Sequence, residues 1–455
     1  MINIYFTSDM HSYGFPKPFE KDGDTLVIDG GDVLQGAPFA RYCLERLGGF
    51  ATIAGMMNDC GYDYVTLGNH DFNHGTAALA SYLDNLNAKC LCQNVGYPYA
   101  IHTTASGKRI GIVGIVTDFV NVWEKPENLV GISITDPFVA AKNALAELAG
   151  QVDYTIGIYH GGFEKDMDTG KLLATTTENI ACRLAEELDF DILLTGHQHM
   201  GLTGRDYHGT YVIQPPHHAK GYAHLTIADN GTIDSRMVTE PSAFVPIPDP
   251  VLAEQVRSWL QRPAGQLPAP LRMGERVDMA VNGSPIADFF NQVQLAYTGA
   301  DVSVASLAND VADLPQHLSL GDLFAAYPYA NTFVVVEMTG AQLRQAMERS
   351  AQYLSRDNNG ELVVSDAFLK PKIEHYNYDF YAGVDYTLDF DQPVGQRVTH
   401  LSRGGQLVSD THTLHVCVNN YRVTGAGGYP MYPECPVVRE VNTEMTEMLL
   451  AYFAK

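Results

Sequence analysis

Residues 2–11 have the sequence INIYFTSDMH, a short apolar run that ends abruptly in polar residues. An apolar run of this length is typical of a buried strand, and the polar residues that follow it are typical of a loop. Asp9 and His11 alternate along an extended chain end, so both side chains can face the same way. This stretch therefore predicts a strand whose carboxyl end carries chemistry.

The same pattern returns four more times in the first half of the chain. Apolar runs precede the polar clusters DGGD at 29–32, GNHD at 68–71, HGG at 160–162 and GHQH at 196–199. Helical stretches lie between the runs, such as the one that Asp136 and Pro137 begin. Strands that alternate with helices predict a layered α/β domain, in which ligand sites gather outside the carboxyl ends of strands. We therefore expect the five clusters to converge on one site.

These clusters offer the ligand types that a pair of divalent cations requires. Carboxylate, imidazole and amide ligands suit Mn, Zn, Fe or Co, and Asp32 could bridge two ions because a carboxylate has two oxygens. A single pair of such residues would carry little weight, since histidine is common in cores and on surfaces. Five such clusters, each at the end of a predicted strand, together indicate a metal centre. The candidate ligands are Asp9, His11, Asp32, Asn69, His160, His197 and His199.

The five motifs resemble the signatures of calcineurin-like metallophosphoesterases. The rest of the chain resembles the C-terminal domain of the 5'-nucleotidase and 2',3'-cyclic nucleotide 2'-phosphodiesterase family. The resemblance implies an N-terminal four-layer αββα sandwich and a C-terminal α+β domain. With Asp249 capping a helix and several prolines following it, we expect domains at 1–247 and 274–455, joined by a helix and Pro-rich linker at 248–273. By the same resemblance, one metal takes Asp9, His11, Asp32 and His199, and the other takes Asp32, Asn69, His160 and His197.

The family's activity implies hydrolysis of nucleotide phosphoesters by a metal-bound hydroxide. His70 would touch a phosphoryl oxygen or protonate the leaving alkoxide, and orientation of a ligand is its alternative role. Asn73 stands where the 5'-nucleotidase branch has an aspartate that pairs with this histidine, so His70 is expected to have a lower proton affinity than in that branch. Residues 68–75 instead resemble the branch that acts on 2',3'-cyclic nucleotides and 3'-nucleotides. That activity is the first expectation, and a 5'-nucleotidase or UDP-sugar hydrolase is the alternative.

The resemblance also implies a nucleotide-binding site in the C-terminal domain. Tyr378, in the segment NYDFYAG, and Tyr429, at the end of NYRVTGAGGY, are the candidates for an aromatic sandwich around the base. Such stacking contributes about 1–3 kcal/mol per contact and tolerates any base. Asn309 lies in a segment, SLANDV, that lacks the phosphate-gripping arginine of 5'-nucleotidases. Arg422 could replace that arginine, and a structural role for it is equally open.

The composition of the chain limits which kinds of partner it can bind. A net charge of −24 disfavours a nucleic acid polymer and hence a nuclease, while bound cations would still let a small nucleotide bind. A non-catalytic nucleotide-binding protein is expected to have lost ligands, and none of the seven is missing. Oligomeric state is open.

The compartment is predicted from what the sequence contains. No apolar run approaches the ~20 residues of a membrane span, and seven scattered cysteines fit a reducing compartment. No export signal is visible, which predicts a cytoplasmic protein, although a processed exported chain would look the same. His217 and His218 follow two prolines on a turn that could approach the site, but an exposed loop is expected for them and they are not counted as ligands.

Overall fold

The computed structural model describes residues 1–172, 177–329, 331–370, 372–441 and 443–454. The chain divides into two compact units, Met1–Val256 and Arg257–Lys455. The division falls inside a helix, Pro250–Leu260, that Asp249 caps by accepting hydrogen bonds from the backbone of the first turn.

In the N-terminal unit the strands are β1 (Ile2–Thr7), β2 (Phe15–Pro16), β3 (Thr25–Asp29), β4 (Tyr64–Val65), β5 (Lys89–Cys90), β6 (Ala100–Thr103), β7 (Arg109–Val116), β8 (Tyr154–His160), β9 (Ile192–Thr195), β10 (Arg205–Tyr207), β11 (Thr210–Ile213), β12 (Tyr222–Ile227), β13 (Ile233–Val238) and β14 (Phe244–Val245). The α-helices are α1 (Pro38–Tyr42), α2 (Ala51–Cys60), α3 (Gly75–Leu83), α4 (Val120–Trp123), α5 (Pro137–Leu148), α6 (Ala181–Glu187) and α7 (Pro250–Leu260). A π-helical turn spans Cys43–Leu47, and 3₁₀ turns span Asn69–Phe72, Pro126–Leu129 and Pro241–Ala243.

Apart from β2 and β14, which pair with each other, these strands form two large sheets with parallel centres. The first has the order β13-β12-β1-β3-β4-β5 and the second the order β10-β11-β9-β8-β7-β6. Strands β1, β3 and β4 run parallel in the first sheet, and β7, β8 and β9 run parallel in the second. The carboxyl ends of the strands that precede the polar clusters therefore meet at one edge of each sheet, as the sequence predicts.

The two sheets pack face to face through aliphatic side chains. Ile4 and Ile28 from the first sheet share one fully buried cluster with Ile112 and Ile158 from the second. The other face of the second sheet packs against α5 and α6. A sheet covered on both faces explains why its strands read as continuous apolar runs. The α/β sandwich expected from the sequence is confirmed, and α5 begins at Pro137 with the side chain of Asp136 accepting from the backbone of its first turn.

In the C-terminal unit the strands are β15 (Pro263–Gln266), β16 (Val302–Ser306), β17 (His317–Ser319), β18 (Phe333–Thr339), β19 (Leu354–Arg356), β20 (Leu362–Val364), β21 (Asp379–Ala382), β22 (Asp385–Leu388), β23 (Val398–Arg403), β24 (Gln406–Leu407), β25 (Thr413–Asn419) and β26 (Val437–Val441). The α-helices are α8 (Arg276–Asn282), α9 (Pro285–Thr298), α10 (Leu320–Ala326), α11 (Gly340–Ala351), α12 (Asn420–Val423) and α13 (Met445–Phe453). Turns of 3₁₀ helix span Asp366–Phe368, His375–Asn377 and Tyr432–Glu434.

The central sheet of this unit has the order β21-β16-β25-β18-β26 and separates two hydrophobic cores. Along β18, Val335 faces one core and Val336 faces the other, which is the alternation expected of a strand. Residues 263–266, expected to be linker, instead form β15, which pairs with β17. Pro263 is the first residue of that strand, where a missing N–H is tolerated.

Within the described part of the chain, the helices are all too short or too polar to cross a bilayer.

Candidate metal centre

The loops after β1 and β3 hold their ligand candidates in an unusual backbone conformation. Asp9, His11 and Asp32 have positive φ angles of 55°, 50° and 58°. Non-glycine residues rarely adopt this conformation, and it persists only where surrounding contacts impose it. Here the two loops bond to each other, because the N–H of Asp9 donates to the carbonyl of Gly31 at 2.9 Å and that of His11 to the carbonyl of Asp32 at 2.8 Å.

Asp71 ties the loop after β3 to the loop after β4. Its carboxylate accepts hydrogen bonds from four backbone N–H groups at 2.8–3.0 Å. The donors are Asp32, Val33, Leu34 and Gly68. The two loops pass so close that a Cβ on Gly68 would lie 2.1 Å from Asp32 Oδ1, so glycine is required there.

The second sheet contributes the histidines. His160 is the last residue of β8, and His197 and His199 follow β9 with positive φ angles of 70° and 59°. His160 Nδ1 lies 2.6 Å from the carbonyl oxygen of Gly30, and the N–H of His197 donates to the carboxylate of Asp9 at 3.0 Å. These bonds join the two sheets at the edge where their strands end.

Five of the predicted ligands form two overlapping groups whose donor atoms lie within 4.8 Å of one another. The groups are Asp9, His11 and His199, and Asp9, Asp32 and His160. His199 Nε2 is 3.3 Å from Asp9 Oδ1, and His160 Nε2 is 3.2 Å from Asp32 Oδ2. All of these residues except His199 are at least nine-tenths buried.

The donor set fits divalent cations. His160 uses Nδ1 on a backbone carbonyl, and its buried Nε2 makes no well-aligned hydrogen bond to the described residues although Asp32 Oδ2 lies 3.2 Å away. His11 uses Nδ1 on the carbonyl of Gln35, and its Nε2 faces His199 Nε2 at 3.2 Å. Imidazole nitrogens that face carboxylates and one another in a buried space are the ligands that Mn, Zn, Fe and Co prefer.

Burial and neighbouring charges shift the pKa values of the residues in this cluster. Burial alone would raise the pKa values of Asp9 and Asp32, but the neighbouring histidines hold both pKa values below their usual range. Burial lowers the pKa of His11 to about 4. Burial also acts to lower the pKa of His160, but the adjacent Asp32 outweighs it and raises that pKa to about 10. Without a metal, a proton on His160 balances the carboxylates, and a cation would take its place.

The other two predicted ligands, Asn69 and His197, lie beside these groups and pair with each other. His197 Nδ1 is 2.8 Å from Asn69 Oδ1. Glu178 lies 2.8 Å from the other ring nitrogen, Nε2. Both ring nitrogens of His197 therefore face oxygens that only accept hydrogen bonds, and a cation held by Nδ1 and Asn69 Oδ1 would replace the proton between them while Glu178 holds Nε2–H. Nothing in the sequence around Glu178 signals this contact, because it joins residues that are 19 positions apart in the chain.

His70 is placed by both its backbone and its ring. Its N–H donates to Asp32 Oδ1 at 2.7 Å, and its ring lies 5.5 Å from that of His11, centroid to centroid. Nδ1 lies 2.8 Å from Asn73 Oδ1, so the pairing of these two predicted residues is present in the structure.

His217 and His218 lie at the metal centre, contrary to the exposed loop expected for them. The ring of His217 stacks on that of His199 at 4.3 Å, and both histidines are half-buried. The N–H of His218 donates to the carbonyl of Asp9 at 2.7 Å. The loop between β11 and β12 is drawn in by this backbone bond, which a sequence pattern does not reveal.

The predicted base-binding tyrosines are buried, so the structure does not support the sandwich. The hydroxyl of Tyr378 donates to the carbonyl of Ala280, and the hydroxyl of Tyr429 donates to the carbonyl of Asn377. The Arg422 guanidinium covers the Tyr429 ring at 4.1 Å. Stacking on a base needs an open ring face, and these rings are packed in the two cores of the C-terminal unit.

Arg422 and Asn309 make contacts within the C-terminal unit in this structure. Arg422 is almost fully buried and forms an ion pair with Asp379 at 2.8 Å. The side chain of Asn309 bonds to the backbone of Ile373 and His375. Of the two roles left open for Arg422, its burial favours the structural one.

A double-sheet sandwich with carboxylates and imidazoles gathered at its strand ends defines the metallophosphoesterase class of hydrolases. Two family models match the chain, calcineurin-like phosphoesterase at residues 2–201 and 5'-nucleotidase, C-terminal domain at residues 263–434. The chain belongs to the family of calcineurin-like phosphoesterases that carry a 5'-nucleotidase C-terminal domain, and it is a metallophosphoesterase.

Several similar proteins are named as nucleotide phosphoesterases or nucleotidases. The trifunctional nucleotide phosphoesterase protein YfkN of Bacillus subtilis is 24% identical over 95% of this chain, which spans only 35% of YfkN. A 2',3'-cyclic-nucleotide 2'-phosphodiesterase/3'-nucleotidase of Yersinia enterocolitica is 25% identical, over 92% of this chain and 80% of that protein. The crystal structure of a provisionally assigned 5'-nucleotidase from Staphylococcus aureus matches with a TM-score of 0.90 and 30% identity, over 100% of this chain and 96% of that one.

Asp71→Asn tests the tie between the two loops. An amide places N–H groups against backbone donors, so we expect the free energy of unfolding to fall by about 3 kcal/mol and divalent metal content to fall with it. Urea unfolding and elemental analysis measure the two effects. Asp84→Asn, at an exposed position after α3, is the control and should change stability by less than about 0.5 kcal/mol. Unchanged metal content in a destabilised Asp71→Asn protein would show that the hydrogen bonds of Asp71 do not determine the geometry of the metal centre.

Glu178→Ala tests the orientation of His197. Loss of the carboxylate should weaken divalent metal binding by about 10–100-fold, because the hydrogen bond at Nε2 that orients the ring is lost. Calorimetric titration of chelator-stripped protein with Mn²⁺ measures this affinity. Glu187→Ala, at the exposed end of α6, should bind Mn²⁺ like the unaltered protein. Equal affinities in all three proteins would exclude the role.

Proposed function

We propose that this chain hydrolyses 2',3'-cyclic nucleotides and 3'-nucleotides in preference to 5'-nucleotides. The observation that carries the proposal is the pairing of His70 with the amide of Asn73 rather than with a carboxylate. The Yersinia relative, named for the cyclic phosphodiesterase and 3'-nucleotidase activities, supports the same preference. The Staphylococcus structure, assigned as a 5'-nucleotidase, favours that activity as the second candidate.

The candidate ligands would hold two divalent cations, one near Asp9, His11 and His199 and one near Asp32 and His160. Bound cations supply Lewis-acid chemistry that neutralises phosphoryl charge and makes water a stronger nucleophile. Residues of the chain would position the substrate-facing groups and supply the proton. Asp32 fixes the backbone of His70, and Asn73 holds the His70 ring by its Nδ1. His70 would then use Nε2 to hold a proton for the leaving ribose oxygen.

The nucleobase is proposed to bind half-buried tyrosines in place of the buried pair. Tyr329, Tyr376 and Tyr421 lie in one cluster of the C-terminal unit, with ring centroids 6.3 Å and 6.5 Å apart along the series. Two of them come from the same segments as the predicted pair, Tyr376 near Tyr378 and Tyr421 within the glycine-rich segment. An aromatic ring that is only half-buried can stack on a base with the part of its face that stays exposed.

The substrate preference is tested by comparing 2',3'-cyclic AMP, 3'-AMP and 5'-AMP with the Mn-loaded protein. We expect kcat/KM for the first two to exceed that for 5'-AMP by about tenfold or more. Phosphate release measures the monoesters, and chromatography measures ring opening of the cyclic diester. A preference for 5'-AMP would overturn the specificity and leave the hydrolase class intact. No turnover of any of the three would contradict a nucleotide substrate.

Tyr421→Ala tests the site for the base. Loss of one stacking contact should raise KM for the preferred nucleotide about 5–100-fold. Hydrolysis of bis(4-nitrophenyl) phosphate, which has no base, should be unchanged. Tyr378→Phe is the matched control, since it removes only a buried hydroxyl and should leave the nucleotide KM as it was. The assignment fails if both variants affect the two substrates alike.

A further inference from the structure

Asn73 is held between His70 and a second side chain, Glu124. On one side Asn73 Oδ1 lies 2.8 Å from His70 Nδ1, and on the other Asn73 Nδ2 donates to Glu124 Oε2 at 2.6 Å. Glu124 follows α4 and is half-buried. The pattern of motifs at the strand ends does not include it.

Glu124 decides which way the amide of Asn73 points. An ionised carboxylate can only accept hydrogen bonds, so the NH₂ group of Asn73 must face Glu124. The amide oxygen is then left to face His70. Because an amide oxygen also only accepts, Nδ1 of His70 must carry a proton, and Nε2 is the nitrogen available to the substrate.

Glu124 is itself fixed by the turn that follows it. Its Oε1 accepts from the N–H of Lys125 and from the side chain of Asn128, both at 2.8 Å. Asn128 also donates to the backbone carbonyl of Asn73 at 2.8 Å. The carboxylate is therefore held at both oxygens, and the turn Pro126–Leu129 is bonded to the segment that bears His70.

We propose that Glu124 is a positioning residue that sets the ring tautomer of His70 through Asn73. The pair of His70 and Asn73 contains no carboxylate. Glu124 supplies one through its hydrogen bond with Asn73. With Glu124 absent, the amide of Asn73 can rotate and present its NH₂ group to Nδ1, which would favour the opposite tautomer of the neutral ring and oppose a ring that is protonated at both nitrogens. The proposal rests on the function proposed for His70: the ring carries protons on both nitrogens before the transfer, gives the Nε2 proton to the leaving oxygen, and is left as the Nδ1–H form bonded to Asn73 Oδ1.

Glu124→Gln tests the proposal because a glutamine can either donate to Asn73 or accept from it. Long-range ¹H–¹⁵N NMR of histidine-labelled, Zn-loaded protein reports the His70 tautomer, with His70→Gln used to assign the signal. We expect the Nδ1–H form in the unaltered protein and a mixture in Glu124→Gln. Turnover of the preferred nucleotide should fall about tenfold. Turnover of bis(4-nitrophenyl) phosphate should change little, since its leaving group needs no proton.

Two further proteins separate positioning from a structural effect. Glu127→Gln removes an exposed carboxylate from the same turn and should match the unaltered protein in both readouts. Asn73→Asp combined with Glu124→Gln restores an acceptor that needs no outside carboxylate, and should recover the Nδ1–H form and most of the nucleotide turnover. Asn73→Asp alone places two carboxylates in contact, so it should be less active than the double variant.

The outcomes are distinct. An unchanged tautomer in Glu124→Gln, or equal loss of turnover on both substrates, would overturn the positioning role. Failure of the double variant to recover the tautomer would also overturn it. The tautomer is read without turnover, so a protein that shows the expected NMR shift but does not hydrolyse nucleotides would retain the role of Glu124 and reject the proposed function.

Discussion

The convergence of four backbone N–H groups on the carboxylate of Asp71 is the constraint on which the metal centre depends. The loops after β3 and β4 carry Asp32, Asn69 and His70, and they approach so closely that only glycine fits at position 68. Backbone donors that crowd together in a buried place repel one another unless a charge balances them. Asp71 supplies that charge, and the side chains of Asp32, Asn69 and His70 contact the residues of the candidate metal centre.

The second requirement is that two sheets meet at the same edge. The ligand candidates divide between them, with Asp9 and Asp32 from the first sheet and the imidazoles of His160 and His199 from the second. Buried carboxylates are tolerated because imidazoles or cations lie beside them. The bonds from His160 to Gly30 and from His197 to Asp9 fix the distance between the sheets at this point. A cation bound by these residues would therefore also stabilise the packing of the sandwich.

The C-terminal unit shows how a glycine-rich loop can serve packing rather than a ligand. Arg422 is buried with Asp379, and its guanidinium also bonds to Asn377 and to the carbonyl of Ala426. A Cβ on Gly427 would lie 2.3 Å from that guanidinium, and the φ of Gly427 is 74°. The glycines let the loop wrap around a buried arginine. Tyr429 is drawn into the core with them, while Tyr421, at the start of the loop, stays half-buried.

The sequence alone determined the two-unit α/β architecture, the strand ends that carry Asp9, Asp32 and His160, and the pairing of His70 with Asn73. The strand ends are readable because strand periodicity records them directly, and the pairing of His70 with Asn73 follows from the place that Asn73 takes in the motif of the family that the chain resembles. Tertiary structure alone decided the contacts of Glu178, Glu124 and the histidines at 217 and 218, and the burial of Tyr378 and Tyr429. Such contacts join segments far apart in the chain, and burial depends on what packs against a residue rather than on its neighbours in sequence.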